Sequence, residues 1–459
     1  MNECITRTTS HFSACASLAA IGLKIKELDL LGPIDRLVQI EQKTVKYHPS
    51  DKLTDAFITM LAGAHGLVEI NTRLKGDSAL QAAFGRTGCA DQSVVQQTLN
   101  TCTTKNVTQM QQAFTEIYRK HGRGYHHDYQ ADWQVLDADM SGMPCGPKAA
   151  FATKGYFAKQ RNRRGRQLGR VLASLYGEVV TDQLFDGKTQ LTKALQPLIE
   201  QAEAVLQLDE SKRARTIIRL DSGGGSLDDV NWLLERHYQV HCKDYSGTHA
   251  RKLAESVKQW FDDPHQPGRQ FGWVREAPTA YVRQVFRIAV RCPKQNGKWA
   301  IGVLISTLEA KSVLALTRQS QSALSSPAAV LLAYVNFYDQ RGGGVETSLK
   351  GDKQGLGLTK RNKKRFEAQQ ILVLLGSLAH NVVIWARQWL SQPSAKLHGY
   401  GMLRMVRDVF HVSGFLLFDQ MSHVFAIVLN KDAPLAHVIV NSLCDLLAPQ
   451  HITVHLGQI

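Results

Sequence analysis

The stretch from residue 131 to residue 250 alternates short apolar runs with amphipathic patterns, and this alternation constrains the fold of the chain most strongly. WQVLDADMSG is an apolar run with alternating carboxylates, and QLGRVLASLYGEVVTDQLFDG predicts two strands joined by a turn near Tyr176 and Gly177. KTQLTKALQPLIEQAEAVLQL repeats apolar residues at helical spacing. TIIRLDSGGGS, LDDVNWLLERH and YQVHCKDYSG then predict a strand, a helix and a strand. A hairpin followed by βαβ units predicts the α/β class, with a mixed sheet flanked by helices.

The rest of the chain divides around this stretch by changes of pattern. We predict an N-terminal helical domain over 1–125, an α/β core over 131–250 and 307–392, a β-rich insertion over 251–306 and a small C-terminal α/β unit over 396–459. Val, Ile, Phe and Trp, which favour strands, are frequent in the insertion. Within the N-terminal domain, AFGRTGCADQSVVQQTLNTC predicts a turn, a cap and a helix. That pattern fits a DNA-reading helix–turn–helix and equally a plain helical bundle.

Two carboxylates, Asp137 and Asp139, follow one another on the run WQVLDADMSG. Side chains at positions i and i+2 of a strand point to the same face, so the two should project together. A carboxylate is costly to bury without a partner. The pair therefore indicates either a bound cation or basic partner, or an edge strand whose side chains are solvated.

A third carboxylate, Asp221, ends the apolar strand of IIRLDSGGGS just before a glycine turn. Ligand sites in α/β sheets lie at the carboxyl ends of strands, and glycines allow a ligand to approach the backbone closely. A helix cap and an ordinary tight turn explain the same pattern.

A fourth acid, Glu346, follows three glycines and precedes Lys353 by seven residues. If a helix starts after the glycines, this spacing is about two turns and places both side chains on one face. A carboxylate and an ammonium on one face can bind a metal ion and a phosphate side by side. A helix surface of mixed charge is the alternative.

The net charge of the chain restricts the kinds of molecule that we expect it to bind. Lys and Arg number 55 against 40 Asp and Glu, for a formal net charge of +15. Such an excess favours a polyanion, most often nucleic acid, although some basic enzymes bind none. Seven basic residues and no acidic ones fall within 154–170, and KRNKKR occupies 360–365. These runs indicate a path for DNA or, alternatively, solvated faces.

The cysteines and the apolar runs indicate the cellular compartment in which the protein is expected. Eight cysteines are scattered without a CxxC pair, which leaves a zinc ribbon unsupported and suits reduced thiols in a cytosol. The N-terminus lacks a clear signal-peptide layout. The apolar run 371–375 continues into polar residues and is too short to span a bilayer. We therefore expect a cytoplasmic protein that does not engage a membrane.

Taken in order, these acidic motifs resemble the DDE transposases of bacterial insertion sequences, whose catalytic domain has an RNase H-like fold. More narrowly, Tyr338, Arg341, Glu346 and Lys353 are similar to the Tyr-x2-Arg-x3-Glu-x6-Lys signature of one class, except that four residues separate Arg341 from Glu346. VLDADMSG and IIRLDSGGGS resemble the two Asp regions, and LTDAFITMLAGAHGLVEINTRL is similar to the N-terminal helical region. The resemblance covers residues 50–390 approximately, and the insertion between the second Asp and the Glu belongs to it.

The resemblance implies a cut-and-paste DNA transposase in which Asp139, Asp221 and Glu346 are catalytic and hold Mg²⁺ or Mn²⁺. The first Asp of the family is often followed closely by Ser or Thr, which favours Asp139 because Ser141 follows it. Asp137 remains an additional metal ligand on the same strand face. Further residues are implied to hold DNA: Tyr338, Arg341, Lys353, Arg161, Arg163, Arg164 and Arg166.

The implied partner is double-stranded DNA of the transposon ends and the target, bound by a homodimer near the nucleoid of a bacterial cell. In related transposases an insertion-domain Trp can stack on a flipped base, for which Trp273 and Trp299 are candidates, with core packing as the alternative. Three other functions fit the sequence. They are an RNase H-like DNA nuclease without strand transfer, a DNA-binding remnant without catalysis, and a basic protein with no nucleic-acid role.

Overall fold

A computed structural model describes residues 8–43, 46–157, 160, 162–275, 280–392 and 394–459. The chain packs into two compact units. The first consists of Met1–Gly122, Pro144–Ala152 and Leu349–Ile459, and the second of Arg123–Met143 and Thr153–Ser348. This division differs from the predicted one, because residues 349–392 pack with the N-terminal helices rather than with the sheet of the second unit.

The N-terminal part of the first unit is mostly helical, as predicted. Its elements are β1 (Thr9–Ser13), α1 (Ala16–Glu27), α2 (Gly32–Leu37), α3 (Pro49–Leu61), α4 (Ser78–Ala83), α5 (Gln92–Thr101) and α6 (Thr104–His121). α3 starts with Pro49 at a position where its missing N–H costs nothing, and the side chain of Asp51 accepts the N–H of His48 at 2.9 Å. α5 begins after Asp91, where the sequence predicted a cap.

The second unit begins with the predicted hairpin and βαβ order. Its elements are β2 (Gln134–Pro144), β3 (Thr153–Lys154), β4 (Arg164–Ala173), β5 (Glu178–Asp186), α7 (Leu191–Leu206), α8 (Glu210–Ala214), β6 (Thr216–Leu220), α9 (Leu227–Glu235), β7 (Gln239–Lys243), α10 (Gly247–Ala254), β8 (Phe261–Asp262), β9 (Gln270–Trp273), β10 (Phe286–Pro293), β11 (Trp299–Ser306), α11 (Ala310–Leu316) and α12 (Pro327–Arg341). Helices α10 and α11 were not predicted.

The remaining helices and strands belong to the first unit, except that the first of them begins with the last two residues of the second unit. They are α13 (Thr347–Gly355), α14 (Phe366–Ser391), α15 (Met402–Arg404), β12 (Gly414–Phe418), β13 (Val424–Asn430), α16 (Ala436–Leu447) and β14 (Thr453–Gly457). Short 3-10 segments occur at Ser222–Gly224, Gln321–Ser325, Leu358–Lys360, Ala395–Gly399 and Ala448–Gln450, and π segments at Ile70–Leu74, Gly342–Glu346 and Met405–Val409.

A single large sheet organises the second unit. Its strand order is β3-β4-β2-β6-β7-β11-β10-β9-β8, with β5 paired to β4. β2, β6 and β7 run parallel, whereas β4 and β5 form an antiparallel hairpin. The predicted β-rich insertion adds strands to this sheet, because β11 pairs antiparallel with β7. α11 and α12 cover one face, where Leu331, Tyr334 and Phe337 pack with Val135 and Ile217 in the core.

A smaller sheet belongs to the first unit, in the order β1-β12-β13-β14. β1, which the sequence placed in a helical region, pairs antiparallel with β12, so Phe12 lies opposite Phe415.

α14 is the one helix in the described ranges that is long and apolar enough to cross a membrane, and its most apolar window is buried inside the protein. The seven cysteines within those ranges form no disulfide bond with one another.

Candidate functional site

Asp139 lies on β2, and Asp221 directly follows the neighbouring parallel strand β6. β2 pairs with β6 so that Asp137 is opposite Arg219. Each acid follows that pair by two residues, which places it on the same strand face as its predecessor. The two carboxylates interact electrostatically, since Asp221 contributes to raising the pKa of Asp139. The carboxyl end of this strand pair is therefore acidic, as the sequence predicted.

Asp221 also caps the turn that follows its strand. Its Oδ1 accepts the backbone N–H of Gly223 at 2.8 Å, at the start of the 3-10 segment Ser222–Gly224. Close approach of the backbone requires the last glycine of the run, because a Cβ at Gly225 would lie 2.0 Å from the carbonyl oxygen of Lys243. The cap and the acidic site are thus compatible, since capping uses one of the two carboxylate oxygens.

Glu346 ends a π-helical segment, Gly342–Glu346, that joins α12 to α13. The backbone leaves helical geometry at Gly344, with φ −88° and ψ −106°. Glu346 is consequently turned back towards Arg341, and its side chain is 57% exposed.

Arg341 connects two of the three predicted acids. Its Nη1 lies 2.9 Å from Glu346 Oε1, and its Nη2 lies 3.2 Å from Asp139 Oδ2 and donates to the carbonyl oxygen of Ala138. Burial lowers the pKa of this guanidinium, but Asp139, Asp221 and Asp137 together raise the pKa above its ordinary value. Arg341 is therefore a fixed cation at the centre of the acidic site rather than an exposed side chain.

The site holds more negative charge than Arg341 neutralises. Burial, together with the charges of Asp221 and Glu346, raises the pKa of Asp139 to about 6 despite the nearby Arg341. A divalent cation would remove this penalty, and an all-carboxylate donor set suits Mg²⁺ or Mn²⁺. Within the described ranges, no three His, Cys, Asp or Glu side chains stand close enough to hold a metal ion. The guanidinium of Arg341 stands between Asp139 and Glu346, where it separates the two carboxylates.

Asp137 has a different environment from Asp139. It is fully buried, and both of its oxygens bind Arg219, with Nε–Oδ1 at 2.6 Å and Nη2–Oδ2 at 2.9 Å. Arg219 is also buried and donates through Nη1 to the carbonyl oxygen of Phe337 at 2.7 Å. The positive partner that the sequence argument required for Asp137 is thus an arginine on the next strand.

Tyr338 is half-buried one turn before Arg341, and burial is the main cause that raises the pKa of its hydroxyl. It lines a cleft of about 230 Å³ together with Lys243, Arg269 and Cys292. Arg269 pairs with Asp263 and Asp339 at 2.6 Å each. This cleft beside the acids was not predicted, because its walls come from the insertion and from α12.

The basic residues expected to contact DNA differ in exposure. Arg163 and Arg164 are exposed where β4 begins. Arg166 is only 1% exposed, because both faces of β4 are covered from Gly165 onward, so it does not belong to the exposed basic surface. Its contact with DNA stays a prediction. Arg161 lies outside the described residues. Lys353 lies on α13 in the first unit, seven residues after Glu346.

The two candidate tryptophans occupy different surroundings. Trp273 packs against Tyr334 with ring centroids 5.6 Å apart, which is the core role that the sequence left open. Trp299 is 40% exposed, and its ring lies 4.5 Å from the guanidinium carbon of Arg291.

Three buried polar residues near the site escaped sequence reasoning: Arg219, Arg170 and Asp182. Arg170 and Asp182 face each other on β4 and β5, at 2.8 and 2.6 Å. A charged residue inside an otherwise apolar strand was the available signal, as in TIIRL. Pairing it with a partner requires knowledge of the strand register, which sequence periodicity does not supply.

Comparisons with known proteins give a likeness among solved structures. No protein-family model matches the chain, and no curated protein matches its sequence. Among solved structures, the chain is similar to piggyBac transposase in a cryo-EM structure of its synaptic complex with hairpin DNA. The TM-score is 0.46 and the identity 12%, over 88% of this chain and 82% of that chain. At this identity and TM-score, the likeness does not extend to activity or ligands.

Proposed function

We propose that this protein is a DNA transposase that uses divalent metal ions to cleave DNA at transposon ends and to join the freed 3′-OH to target DNA. The proposal is supported by the contacts of Arg341 with Asp139 and Glu346 and by the electrostatic effect of Asp221 on both Asp139 and Arg341. Three acids from three separate elements, in the order of the transposase signature, are brought into one electrostatic group.

The strand arrangement supports an RNase H-like core as part of the same proposal. The order β5-β4-β2-β6-β7 joins an antiparallel hairpin to three parallel strands. Asp139 lies within β2, two residues beyond the last position at which β2 pairs with β6, and Asp221 directly follows β6, where ligands of α/β sheets bind. We assign the first metal-binding position to Asp139 rather than Asp137, because Arg219 already neutralises Asp137.

In this proposal Asp139, Asp221 and Glu346 hold Mg²⁺ or Mn²⁺. Bound metal supplies an activated water and stabilises the leaving oxygen of the phosphodiester. Arg341 balances the charge of the carboxylates and faces the scissile phosphate when DNA enters. Tyr338 orients the neighbouring phosphate from the edge of the cleft. Water first breaks the phosphodiester at the transposon end, and the 3′-OH released there attacks a phosphodiester of the target in the same site.

The proposed partner is double-stranded DNA, bound by a homodimer. Arg163 and Arg164 are exposed and lead into β4, one strand away from the acids of β2. Arginines bind phosphate oxygens with paired N–H donors, and neutralising phosphates makes binding dependent on salt. We place the DNA path along this basic surface.

A cleavage assay with matched variants tests the proposal. The substrate is a labelled DNA fragment that carries the sequences flanking the gene, incubated with Mg²⁺ or Mn²⁺. We expect wild-type protein to cut it, and Asp221→Asn to lose cleavage while still retarding the fragment in a gel. Asp228→Asn is the control, since Asp228 is a solvent-exposed acid in the first turn of α9. Cleavage that survives Asp221→Asn would exclude this site.

A second substrate separates transposition from simple hydrolysis. A fragment cut beforehand to expose its 3′-OH should become joined to a supercoiled plasmid. Cutting without joining would assign the protein to RNase H-like nucleases. Binding without either reaction would leave a DNA-binding protein without catalysis.

A further inference from the structure

A short turn of the first unit holds a phenylalanine at the surface in an unfavourable backbone conformation. Phe151 has φ 60°, in the left-handed region that bulky side chains rarely adopt, and it is 60% exposed. Backbone strain of this kind persists only where surrounding contacts fix it, and it is concentrated at functional sites. Burial of an apolar side chain therefore does not account for the position of Phe151.

Two contacts fix this turn against the basic run 360–365 and the start of α14. The backbone N–H of Ala150 donates to the carbonyl oxygen of Lys364 at 2.8 Å. The ring of Phe151 meets the ring of Phe366 in an edge-to-face arrangement, with centroids 4.9 Å apart. These contacts hold the Phe151 ring in place while more than half of the residue stays in solvent.

The same two segments enclose a cleft of about 350 Å³. Of the eight described residues that line it, three are lysines and none is acidic: Cys145, Gly146, Pro147, Lys148, Ala149, Asn362, Lys363 and Lys364. Asn362 joins the two walls, because its Nδ2 donates to the carbonyl oxygen of Pro144 at 3.0 Å. A cleft lined by charges of one sign concentrates the opposite charge, so this one favours an anion.

Lys363 is the half-buried member of the three lysines, whereas Lys148 and Lys364 are exposed. Its Nζ donates to Gln96 Oε1 on α5 at 2.5 Å. Burial, together with the charge of Arg361, lowers the pKa of Lys363 to about 8. An anion in the cleft would stabilise the charged form of this amine.

An aromatic ring next to several cations suits a strand of nucleic acid. Cations bind its phosphates, and an exposed ring stacks on the face of a base. In a duplex those faces are covered by neighbouring base pairs, so the ring requires an unpaired base. A free phosphate would use the lysines but not the ring of Phe151.

We propose that Phe151, Lys148, Lys363 and Lys364 form a binding site for single-stranded nucleic acid, in which an unpaired base stacks on Phe151 and the lysines bind the adjacent phosphates. All four residues belong to the first unit, whereas the acids of the candidate functional site and the arginines that lead into β4 belong to the second. The site is therefore additional to the proposed catalytic site, and the inference does not require that site to be active.

Binding of a fluorescent oligothymidylate of about 8 nucleotides, followed by anisotropy with the full chain, tests the aromatic contact. Phe151→Leu keeps an apolar side chain but removes the ring, so affinity should fall roughly tenfold while the melting temperature stays that of wild type. Phe151→Trp should keep the affinity. Phe12→Leu is the matched control, because Phe12 is 50% exposed and also meets another phenylalanine edge to face.

The salt dependence of the same binding tests the lysines. Each phosphate contact in a single strand contributes about 0.7 to the slope of log affinity against log salt concentration. Changing both Lys148 and Lys364 to Gln should lower that slope by about 1.4, whereas Phe151→Leu should leave it unchanged. Lys396→Gln, at an exposed lysine of the same unit, is the control.

A fully paired duplex of the same length and sequence separates stacking from general attraction to DNA. Phe151→Leu should weaken binding of the single strand and leave binding of the duplex unchanged. Wild-type affinity of Phe151→Leu for the single strand, or an equal loss on both substrates, would overturn the site. Displacement of the strand by dTTP at the same phosphate concentration would also overturn it, because the cleft would then bind a free nucleotide.

Asp221→Asn distinguishes a failure of this inference from a failure of the proposed function. It should abolish cleavage but leave both the affinity and the salt dependence for the short strand unchanged. Loss of strand binding in Asp221→Asn would show that the strand binds at the acids rather than at Phe151.

Discussion

Arg341 Nη1 donates a 2.9 Å hydrogen bond to Glu346 Oε1 across the π turn that separates the two residues. The same guanidinium lies 3.2 Å from Asp139, so one cation serves two of the three acids. Arg341 therefore supplies the positive charge that the carboxylates of Asp139 and Glu346 would otherwise lack. Metal binding and the Arg341 contacts therefore depend on the same oxygens, and this has a measurable consequence.

Arg341→Gln should make the protein less stable without metal and more responsive to it. Loss of the guanidinium leaves Asp139 without its cation, at a cost of about 1–3 kcal/mol. Mn²⁺ can then replace the lost positive charge, so the melting temperature of the variant should rise more with Mn²⁺ than that of wild type. Arg407→Gln is the control, because Arg407 is exposed and pairs with the neighbouring Asp408. Equal Mn²⁺ responses in Arg341→Gln and wild type would contradict competition between Arg341 and metal.

Asp137→Asn and Asp139→Asn should differ in stability and in metal binding. Asp137→Asn leaves Arg219 buried without its carboxylate and should cost about 3–5 kcal/mol of unfolding free energy. Asp139→Asn should change stability little, because burial and neighbouring acids already disfavour its charge and raise its pKa to about 6. Urea denaturation in chelator measures the first effect, and Mn²⁺ titration of the folded protein measures the second.

A double change checks the reason given for Asp137. Asp137→Leu combined with Arg219→Met should recover much of the stability, since apolar pairs often replace buried ion pairs without loss. If Asp139→Asn proved the more destabilising single change, or if only Asp137→Asn abolished Mn²⁺ binding, the roles of the two acids would have to be exchanged.

Gly344→Ala should destabilise the protein, whereas Gly343→Ala should not. A Cβ at Gly344 would lie 2.7 Å from Asp137 Oδ2, and Asp137 is held by Arg219, so neither group can move freely. The expected loss is about 1–3 kcal/mol, as for overpacked sites. At Gly343 nothing lies within 4 Å of the added methyl, so we expect a neutral effect or a gain of up to about 1 kcal/mol. Thermal denaturation of the two variants side by side decides, and equal melting temperatures would show that the segment can shift to admit a side chain.

His241 should make stability depend on pH in the acidic range. The imidazole is completely buried, where burial and Arg219 lower its pKa to about 3. The unfolded chain therefore binds a proton below about pH 6.5 that the folded protein does not bind. Stability should fall as the pH decreases from about 6.5 to 3, by up to about 1.4 kcal/mol per pH unit from this group.

His241→Gln isolates this contribution, because glutamine can still donate to the carbonyl oxygen of Tyr334 that His241 contacts at 3.1 Å. Acids common to both proteins cancel in the difference, so wild type should lose more stability than the variant between pH 7 and pH 4. His237→Gln, at a half-exposed histidine, should follow wild type. Parallel curves for wild type and His241→Gln would mean that the buried imidazole does not resist protonation.

Sequence patterns that span only a few residues predicted much of the secondary structure of the second unit. The hairpin turn at Tyr176–Gly177 falls between β4 and β5 as predicted, and β6, α9 and β7 follow in the predicted order. Turn residues, capping residues and apolar periodicity act over a few positions, so the sequence reports them directly. The acids were recognisable for the same reason, since Asp139, Asp221 and Glu346 each stand in a local motif.

Contacts between residues far apart in the chain could not be predicted from those patterns. β1 pairs with β12, some 400 residues away in the chain. Nothing in the sequence TSHFS of β1 indicates that β12 is its partner. Arg166 was grouped with exposed arginines by its neighbours in sequence, yet it is buried because the packed protein covers both faces of β4 from Gly165 onward. Asp137 and Asp139 are equivalent by spacing, and only the register of β2 on β6 gives Asp137 its arginine.

The amino-acid sequence thus determined which acids this protein offers, in which order, and on which strands and turns they stand, because these properties depend on neighbouring residues. Tertiary structure decided which charges meet. Arg219 reaches Asp137, Arg341 reaches Asp139, and Arg170 reaches Ser348 through contacts between residues far apart in the chain. The energy of a buried charge depends on atoms within a few ångströms, and only the packed sheet places those atoms there.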